Sequence, residues 1–353
     1  MIRITVARAC AAILMALITA AGSERALALE FSFLVGDVSL LRQGKSSAAG
    51  LGQSLADGDM VMTGAGGIAV IGYGDGSEIR VMEKSRVRIG SIAVKDSGSV
   101  SVISGAINAR FQKLARGSER KVVTPTTVCS VRGTDFLVGV SDGADSRVEM
   151  KEGALEVRNP YGRKNLGPSS KTKIGLAESP ADDEGEADMA AWKAERDGEM
   201  ERDPGERGKR FEGYINNMGE RSSRSSGKLG DLNSRLGGRA PVGKKEIEKT
   251  GEELTILQRD LEDDALLNES AAASIEGILD RFGKDKTEMY DTFYRIKEES
   301  NKVAQQHRIN FEALQAVRES YRKAYEEIMG KHRESMEKIK GGIDKEAAKP
   351  PKK

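Results

Sequence analysis

The sequence predicts an all-β N-terminal domain, short-stranded and solenoid- or sandwich-like, followed by a flexible linker and an α-helical, coiled-coil-like C-terminal region. Three observations predict this. From residue 29 to 158, short runs of alternating polarity recur, each closed by glycine, aspartate or serine, which is the pattern of half-buried strands rather than βαβ units. From 159 to 243 that pattern fades. From 244 to 343 apolar residues recur at steps of three, four and seven, the period of an amphipathic helix. Of the 353 residues 31% are charged and only 5% aromatic, so the chain is too polar for one large core.

Residues 1–28 read as a signal peptide. Arg3 and Arg8 form a positive start, Cys10 to Ala21 an apolar stretch, and Ala26-Leu27-Ala28 a small-x-small cleavage pattern. The apolar stretch is shorter than the roughly 20 residues a bilayer span requires, so export to the periplasm or the cell surface is the expected location. Only Cys129 remains after cleavage, so no intramolecular disulfide is available. A formal net charge of +1 gives no general attraction to nucleic acid or an anionic membrane.

Within the β-region the expected strands are Phe31–Val35, Gly67–Tyr73, Glu78–Met82, Arg86–Ile89, Ser91–Val94, Ser99–Ile103, Ala106–Phe111, Thr134–Ser141, Ser146–Met150 and Ala154–Arg158. Asp75-Gly76 and Asp142-Gly143 each join two such runs, a strong hairpin signal. Both are followed by a strand, a Glu-containing turn and another strand, which hints at internal duplication. The 159–243 stretch carries five prolines, an acidic run from Asp182 to Asp188 and a Ser/Arg/Gly run, and reads as mobile linker with a short helix near Met189–Trp192. In the helical region the stripe runs through Ile247, Leu254, Leu257 and Leu261, then Ile275, Phe293, Val303, Leu314 and Val317. Two or three long helices, paired with each other or with a partner, would cover it. Residues 344–353 read as a disordered basic tail.

No catalytic, cofactor or metal set emerges. The glycine-rich run Thr63 to Val81 lacks the Lys-Ser/Thr of a phosphate loop and leads into a strand. Gly72-x-Gly74-Asp75-Gly76 is a single copy, whereas calcium solenoids use tandem repeats. His307 and His332 lie far from any candidate nucleophile and read as surface or partner-facing helix residues. Cys129 reads as a small buried hydrophobe. The pairs Asp57/Asp59 and Glu149/Glu152 are better explained by turns than by glycoside chemistry, and Arg110 to Lys121 as a solvated basic turn.

The region is organised around Val122 to Val140. Pro125 belongs at a strand start or corner and Gly133 at a sharp turn, and Phe136, Val138 and Val140 alternate inward. Arg132 and Asp135 bracket the bend, close enough to pair. The run Thr124-Pro125-Thr126-Thr127-Val128-Cys129-Ser130-Val131-Arg132-Gly133-Thr134-Asp135-Phe136 resembles the TP-x-x-V-x-x-VRGT-[DE]-F signature of the FecR family. Supporting pieces stand at Gly36-Asp37-Val38, Leu55 to Asp59, Thr63-Gly64, Asp75-Gly76-Ser77 and Val148 to Val157, so the resemblance covers Phe31 to Arg158.

The resemblance implies an extracytoplasmic β-module that contacts other proteins. Its best-known members relay a transport signal across the inner membrane to a sigma factor. Here a cleavable signal stands in place of a cytoplasmic regulatory segment and an internal membrane helix. The expected function is therefore non-enzymatic: an envelope signalling or scaffold module that recognises a protein partner, with a helical tail for oligomerisation or docking. A surface adhesin or glycan-binding module and a transmembrane sigma-factor regulator are the alternatives. Thr124, Pro125, Val131, Arg132, Gly133, Thr134, Asp135 and Phe136 are expected to serve structure rather than chemistry.

Overall fold

A computed structural model describes residues 29–92, 94, 98–113, 119–131, 133–237, 243–283 and 287–347. Seventeen strands are followed by four helices, as the fold class predicts. The first eight strands are β1 (Leu29–Val35), β2 (Val38–Arg42), β3 (Lys45–Ala48), β4 (Ser54–Leu55), β5 (Met60–Thr63), β6 (Ile68–Gly72), β7 (Glu78–Val81) and β8 (Arg86–Ile89). The long β9 (Ser99–Arg110) comes next, then β10 (Arg120–Val123), β11 (Val128–Val131), β12 (Asp135–Val140), β13 (Ser146–Glu152) and β14 (Leu155–Asn159). Last are β15 (Gly162–Leu166), β16 (Lys171–Ile174) and β17 (Ala181–Asp182).

The strands form two sheets that share β9. The first runs β4-β1-β6-β7-β9-β12-β13-β16-β17, and the second β3-β2-β5-β8-β9-β10-β11-β14-β15. β9 changes sheets at Gly105: residues up to Ser104 pair with β8, and those from Gly105 with β12. Gly105 has φ +91, and a Cβ there would lie 2.5 Å from the Ser85 Cα, so the crossing needs glycine on both counts. Ser99–Ile103 and Ala106–Phe111, expected as two strands, are thus one strand with a glycine corner. Ser91–Val94 is not a strand in its described residues.

One core fills the space between the sheets: Phe31, Ile71, Ile79, Ile107, Phe136, Val138 and Val148 from the first, Leu40, Val61, Val87, Val100, Val122, Val131 and Val157 from the second. The hinted duplication is visible in the pairing. β1, β6 and β7 neighbour one another in the first sheet and β2, β5 and β8 in the second. The sets β9-β12-β13 and β10-β11-β14 repeat that connectivity.

The 159–243 stretch is not a linker, which corrects the reading from its composition. β15 to β17 extend both sheets, and α1 (Met189–Arg202) and α2 (Pro204–Gly237) follow. α2 buries Phe211, Tyr214, Ile215, Met218, Ser222, Ser225, Leu229 and Leu232, a stripe at steps of three and four that two serines and many surface glycines disguise. It packs with α3 (Lys244–Phe282) and α4 (Thr287–Ala347). One shared cluster contains Phe211, Tyr214, Met218, Ile275, Phe293 and Ile296, and a second Leu229, Leu232, Leu254, Leu261, Leu314 and Val317. α4 continues through Ala347, so the first four residues of the expected tail are helical; 348–353 lie outside the described residues, as does the 1–28 signal segment. Among the described residues no helix is long and apolar enough to cross a membrane.

A polar layer crosses the bundle. Arg221 on α2 grips Asp264 on α3 at 3.0–3.1 Å, Asn268 and Ser300 exchange two bonds, and Asn310 donates to the Ser222 carbonyl at 2.8 Å. His307, expected on the surface, is buried here with its Nδ1 3.4 Å from the Ser222 hydroxyl and its Nε2 unpartnered. Burial first, and Arg221 second, push its pKa down to about 4. As pH falls through about 6.5 the unfolded chain binds a proton that the folded imidazole refuses until about 4. His307 therefore withdraws stability across that window, by up to about 3 kcal/mol. Burial also raises Asp264 to about 6, which works in the opposite sense as pH falls. His307→Gln retains Asp264, so comparing the two proteins isolates the imidazole. The variant should lose less stability than the wild type between pH 6.5 and 4, measured by urea midpoints; parallel pH profiles would refute the assignment.

Candidate functional site

The signature residues assemble a sealed corner. Pro125 and Thr126 form the loop of the β10–β11 hairpin, closed by the Thr124 N–H donating to the Thr127 carbonyl at 2.9 Å. Proline suits this loop because its fixed φ is that of a turn and no amide is left unpaired. The Thr124 hydroxyl accepts from the Thr126 and Thr127 amides at 3.2 and 3.1 Å. Ser146, from the opposite sheet, bonds the Thr124 and Thr126 hydroxyls at 2.7 and 2.6 Å. Thr127 donates to the Arg158 carbonyl at 2.9 Å. All of Thr124 to Thr127 is buried, so this polar cluster pins the two sheets together at their end.

Val131 and Phe136 lie in the core. Gly133 has φ +98, and a Cβ on it would meet the Lys113 Cα at 2.9 Å. Its carbonyl in turn crowds Gly153, so two glycines let the β11–β12 and β13–β14 turns approach. Thr134 is buried, with its carbonyl accepting from the Phe111 N–H and its hydroxyl unpartnered. Arg132 lies outside the described residues, so the expected Arg132–Asp135 contact does too. Asp135 accepts instead from Asn108 at 2.9 Å, with Arg110 and Lys151 each at 3.9 Å. Cys129 is buried, and desolvation pushes its thiol up to about 12, which keeps it protonated and inert.

Of the described residues from Arg110 to Lys121, Arg110, Gln112, Lys113 and Glu119 are exposed, as a solvated turn would have them, but Phe111, Arg120 and Lys121 are buried. Arg120 is buried, bonds Asp75 and Ser77 at 2.8 and 2.7 Å, and lies over the Tyr73 ring at 4.3 Å. It closes the first hairpin just as buried Arg207 of α2 closes the second through Asp145, at 2.8 and 3.0 Å. Lys121 faces outward from β10 and meets α3.

That contact is part of a buried charged seam. Asp263 of α3 accepts from Arg158 at 2.6 and 3.2 Å and from Lys121 at 3.1 Å. Glu269, one and a half turns on, accepts from Arg88 at 3.0 Å, the Ser91 hydroxyl at 2.5 Å and the Ile92 amide at 3.0 Å. Around them Val123 and Val128 join the helical core, and Met60 and Ile103 pack on Ala273. The outer face of the second sheet is therefore occupied by this chain's own helix. Acids set beside the leucine stripe of α3 are the indirect trace of this in the chain.

The outer face of the first sheet is different. A register row crosses it through Phe33, Val70, Arg80, Asn108, Leu137, Glu149 and Lys171. The next row places Glu78, Arg110 and Asp135 side by side. At one end α1 covers β12, with Met189 against Gly139, and buried Arg147 is gripped by Asp183 and the Ala187 carbonyl. Between β7 and β13 the face is a shallow depression open to solvent, lined by Arg80, Arg110, Asp135, Leu137 and Lys151. Asp135 brings the signature, half-exposed, to this depression.

Its lining is charged and polar around Leu137. Asp59 is committed to Arg42 and the Ala56 amide, and Glu149 lies against Arg147. Among the described residues no three His, Cys, Asp or Glu side chains converge as a metal site would require.

Residues 59–156 match the family described as FecR protein, which bears out the resemblance carried by Thr124 to Phe136. Two crystal structures described as an anti-sigma factor from Parabacteroides distasonis ATCC 8503 are similar to this chain at 16% identity and a TM-score of 0.30. Each likeness covers 35% of this chain and 59% of that protein's. No curated protein matches.

The seam carries a direct test. Asp263→Ala leaves two buried cations without their shared acceptor, which should cost about 3–5 kcal/mol. Thermal or urea unfolding reads this, and a loss below about 1 kcal/mol would show that the helix is not held there by charge.

Proposed function

We propose that the chain is a non-enzymatic, exported recognition module of the cell envelope, serving signalling or scaffolding through a protein partner. The reading rests on the FecR match together with one observation: the second sheet is covered by α3 while the charged face of the first stays open. An extended row of Arg, Asn, Asp and Lys side chains around Leu137 suits a polar protein surface better than a deep small-molecule site. The expected signal peptide at 1–28 supplies export.

The double variant Arg80→Glu/Arg110→Glu reverses this face at exposed positions, so circular dichroism should be unchanged. Wild-type protein coupled to resin is expected to retain a defined partner from envelope extract that the variant loses. Equal capture by both would remove the face from recognition.

The helical end carries the oligomerisation part of the reading. α4 has 61 residues, a length of about 90 Å. Lys331 to Lys340 is exposed throughout. Tyr325, Ile328, Met329, His332, Met336 and Ile339 still fall on one stripe there. Antiparallel pairing with a second copy about Glu334 would set Met329 against Ile339 and His332 against Met336, with Glu326 near Lys340. Sedimentation velocity should show a dimer that Met336→Glu/Ile339→Glu makes monomeric. A monomeric wild type would refute it.

A further inference from the structure

Between the second sheet, α1 and α3 lies a cavity of about 190 Å³ that the recognition face does not use. Its walls are Ile103, Met200, Ile278 and Phe282, and Arg86 of β8 reaches into it. The setting of Arg86 is unusual on this face. Two residues along the same strand, Arg88 meets Glu269 of α3. Arg86 has no ion pair among the described residues, and its Nε is buried without any acceptor. It lies against α3 at Gly277, where a Cβ would stand 2.4 Å from a guanidinium nitrogen. Glycine thus opens the helix surface for a cation that the protein then leaves unsatisfied.

The two carboxylates on the lining do not supply the missing charge. Both Asp142 and Glu201 pair with Arg281, and Asp142 also accepts from Lys193 at 3.1 Å. The hydroxyls of Ser104 and Ser274 face the same space and make no side-chain hydrogen bond with a described residue. A planar guanidinium fork beside two free hydroxyls accepts an anion, and the apolar walls ask for a carbon body behind it. A cavity of about 150 Å³ holds benzene, so the space fits an aromatic ring or a short alkyl chain.

We propose that this cavity binds a small organic monocarboxylate, with Arg86 holding the carboxylate and Ile103, Met200, Ile278 and Phe282 enclosing the apolar body. Benzoate and hexanoate are the probes, titrated into the full chain by calorimetry, with inorganic phosphate as the bare anion. Saturable binding of at least one carboxylate, weakened tenfold or more in Arg86→Met, is expected, and phosphate should not saturate. Arg86→Met removes a half-buried cation that has no ion pair among the described residues, so its melting temperature should equal or exceed that of the wild type. Gly277→Ala, which displaces the guanidinium, should weaken the same carboxylate. No saturable carboxylate binding by the wild type would overturn the proposal. So would unchanged affinity in Arg86→Met, or phosphate binding as tight as benzoate.

Discussion

The outer face of the second sheet cannot face water, and the rest of the molecule follows from that constraint. Val123 and Val128 are apolar there, Met60 and Ile103 extend the patch, and Arg88, Lys121 and Arg158 rise among them. An ordinary solvated sheet face alternates cleanly between an apolar inside and a polar outside. This one needs a cover that is both apolar and acidic. α3 supplies both, leucine and alanine for the patch, Asp263 and Glu269 for the cations. A cover held by desolvated charges is also selective in register, since sliding the helix by one turn would strand each cation without an acceptor.

The duplicated hairpins show the same logic at smaller scale. The Asp-Gly turn of the first unit ends at Arg120 from β10 of the second sheet, inside the sandwich, over Tyr73. The turn of the second unit is answered from outside by Lys193 of α1, Arg207 of α2 and Arg281 of α3. The two hairpins occupy equivalent places in the strand pairing, yet one closes the β-domain and the other receives the helices. The connectivity thus repeats a structural joint, and the second instance is a point at which the sandwich and the bundle meet.

Much of the β-domain was legible because period-two alternation and glycine turns are local signals. Strand limits fell within a residue or two at Glu78–Val81 and Arg86–Ile89, and the signature from Thr124 to Phe136 lies within the 59–156 match to the FecR protein model. Of the helices before residue 244, the start of α1 near Met189–Trp192 was legible, but α2 was not, for a physical reason. Ser222 and Ser225 sit inside the apolar stripe of α2, and glycines at 208 and 219 allow close approach to α4. Helix propensity and hydropathy both fall where small residues serve tight packing. Buried charges were missed for a related reason. Arg120, Lys121, Arg207 and His307 are surface residues by composition, and only a partner distant in sequence makes their burial tolerable.

Those long-range pairings also decide which surface is left for function. Among the described candidate residues of Thr124 to Phe136, Thr124, Pro125, Val131, Thr134 and Phe136 are buried and Gly133 packs in a turn, whereas Asp135 is half-exposed. It stands in the open register of the first sheet between Asn108, Arg110 and Lys151. Covering both faces would have produced a closed α/β body with no recognition surface except its loops. Covering one face leaves a rigid, pleated, charged plane whose side chains are spaced by hydrogen-bond register rather than by loop conformation. In the proposed reading such a plane would meet a partner with little loss of side-chain and loop freedom, because strand pairing and not loop conformation holds its side chains in place.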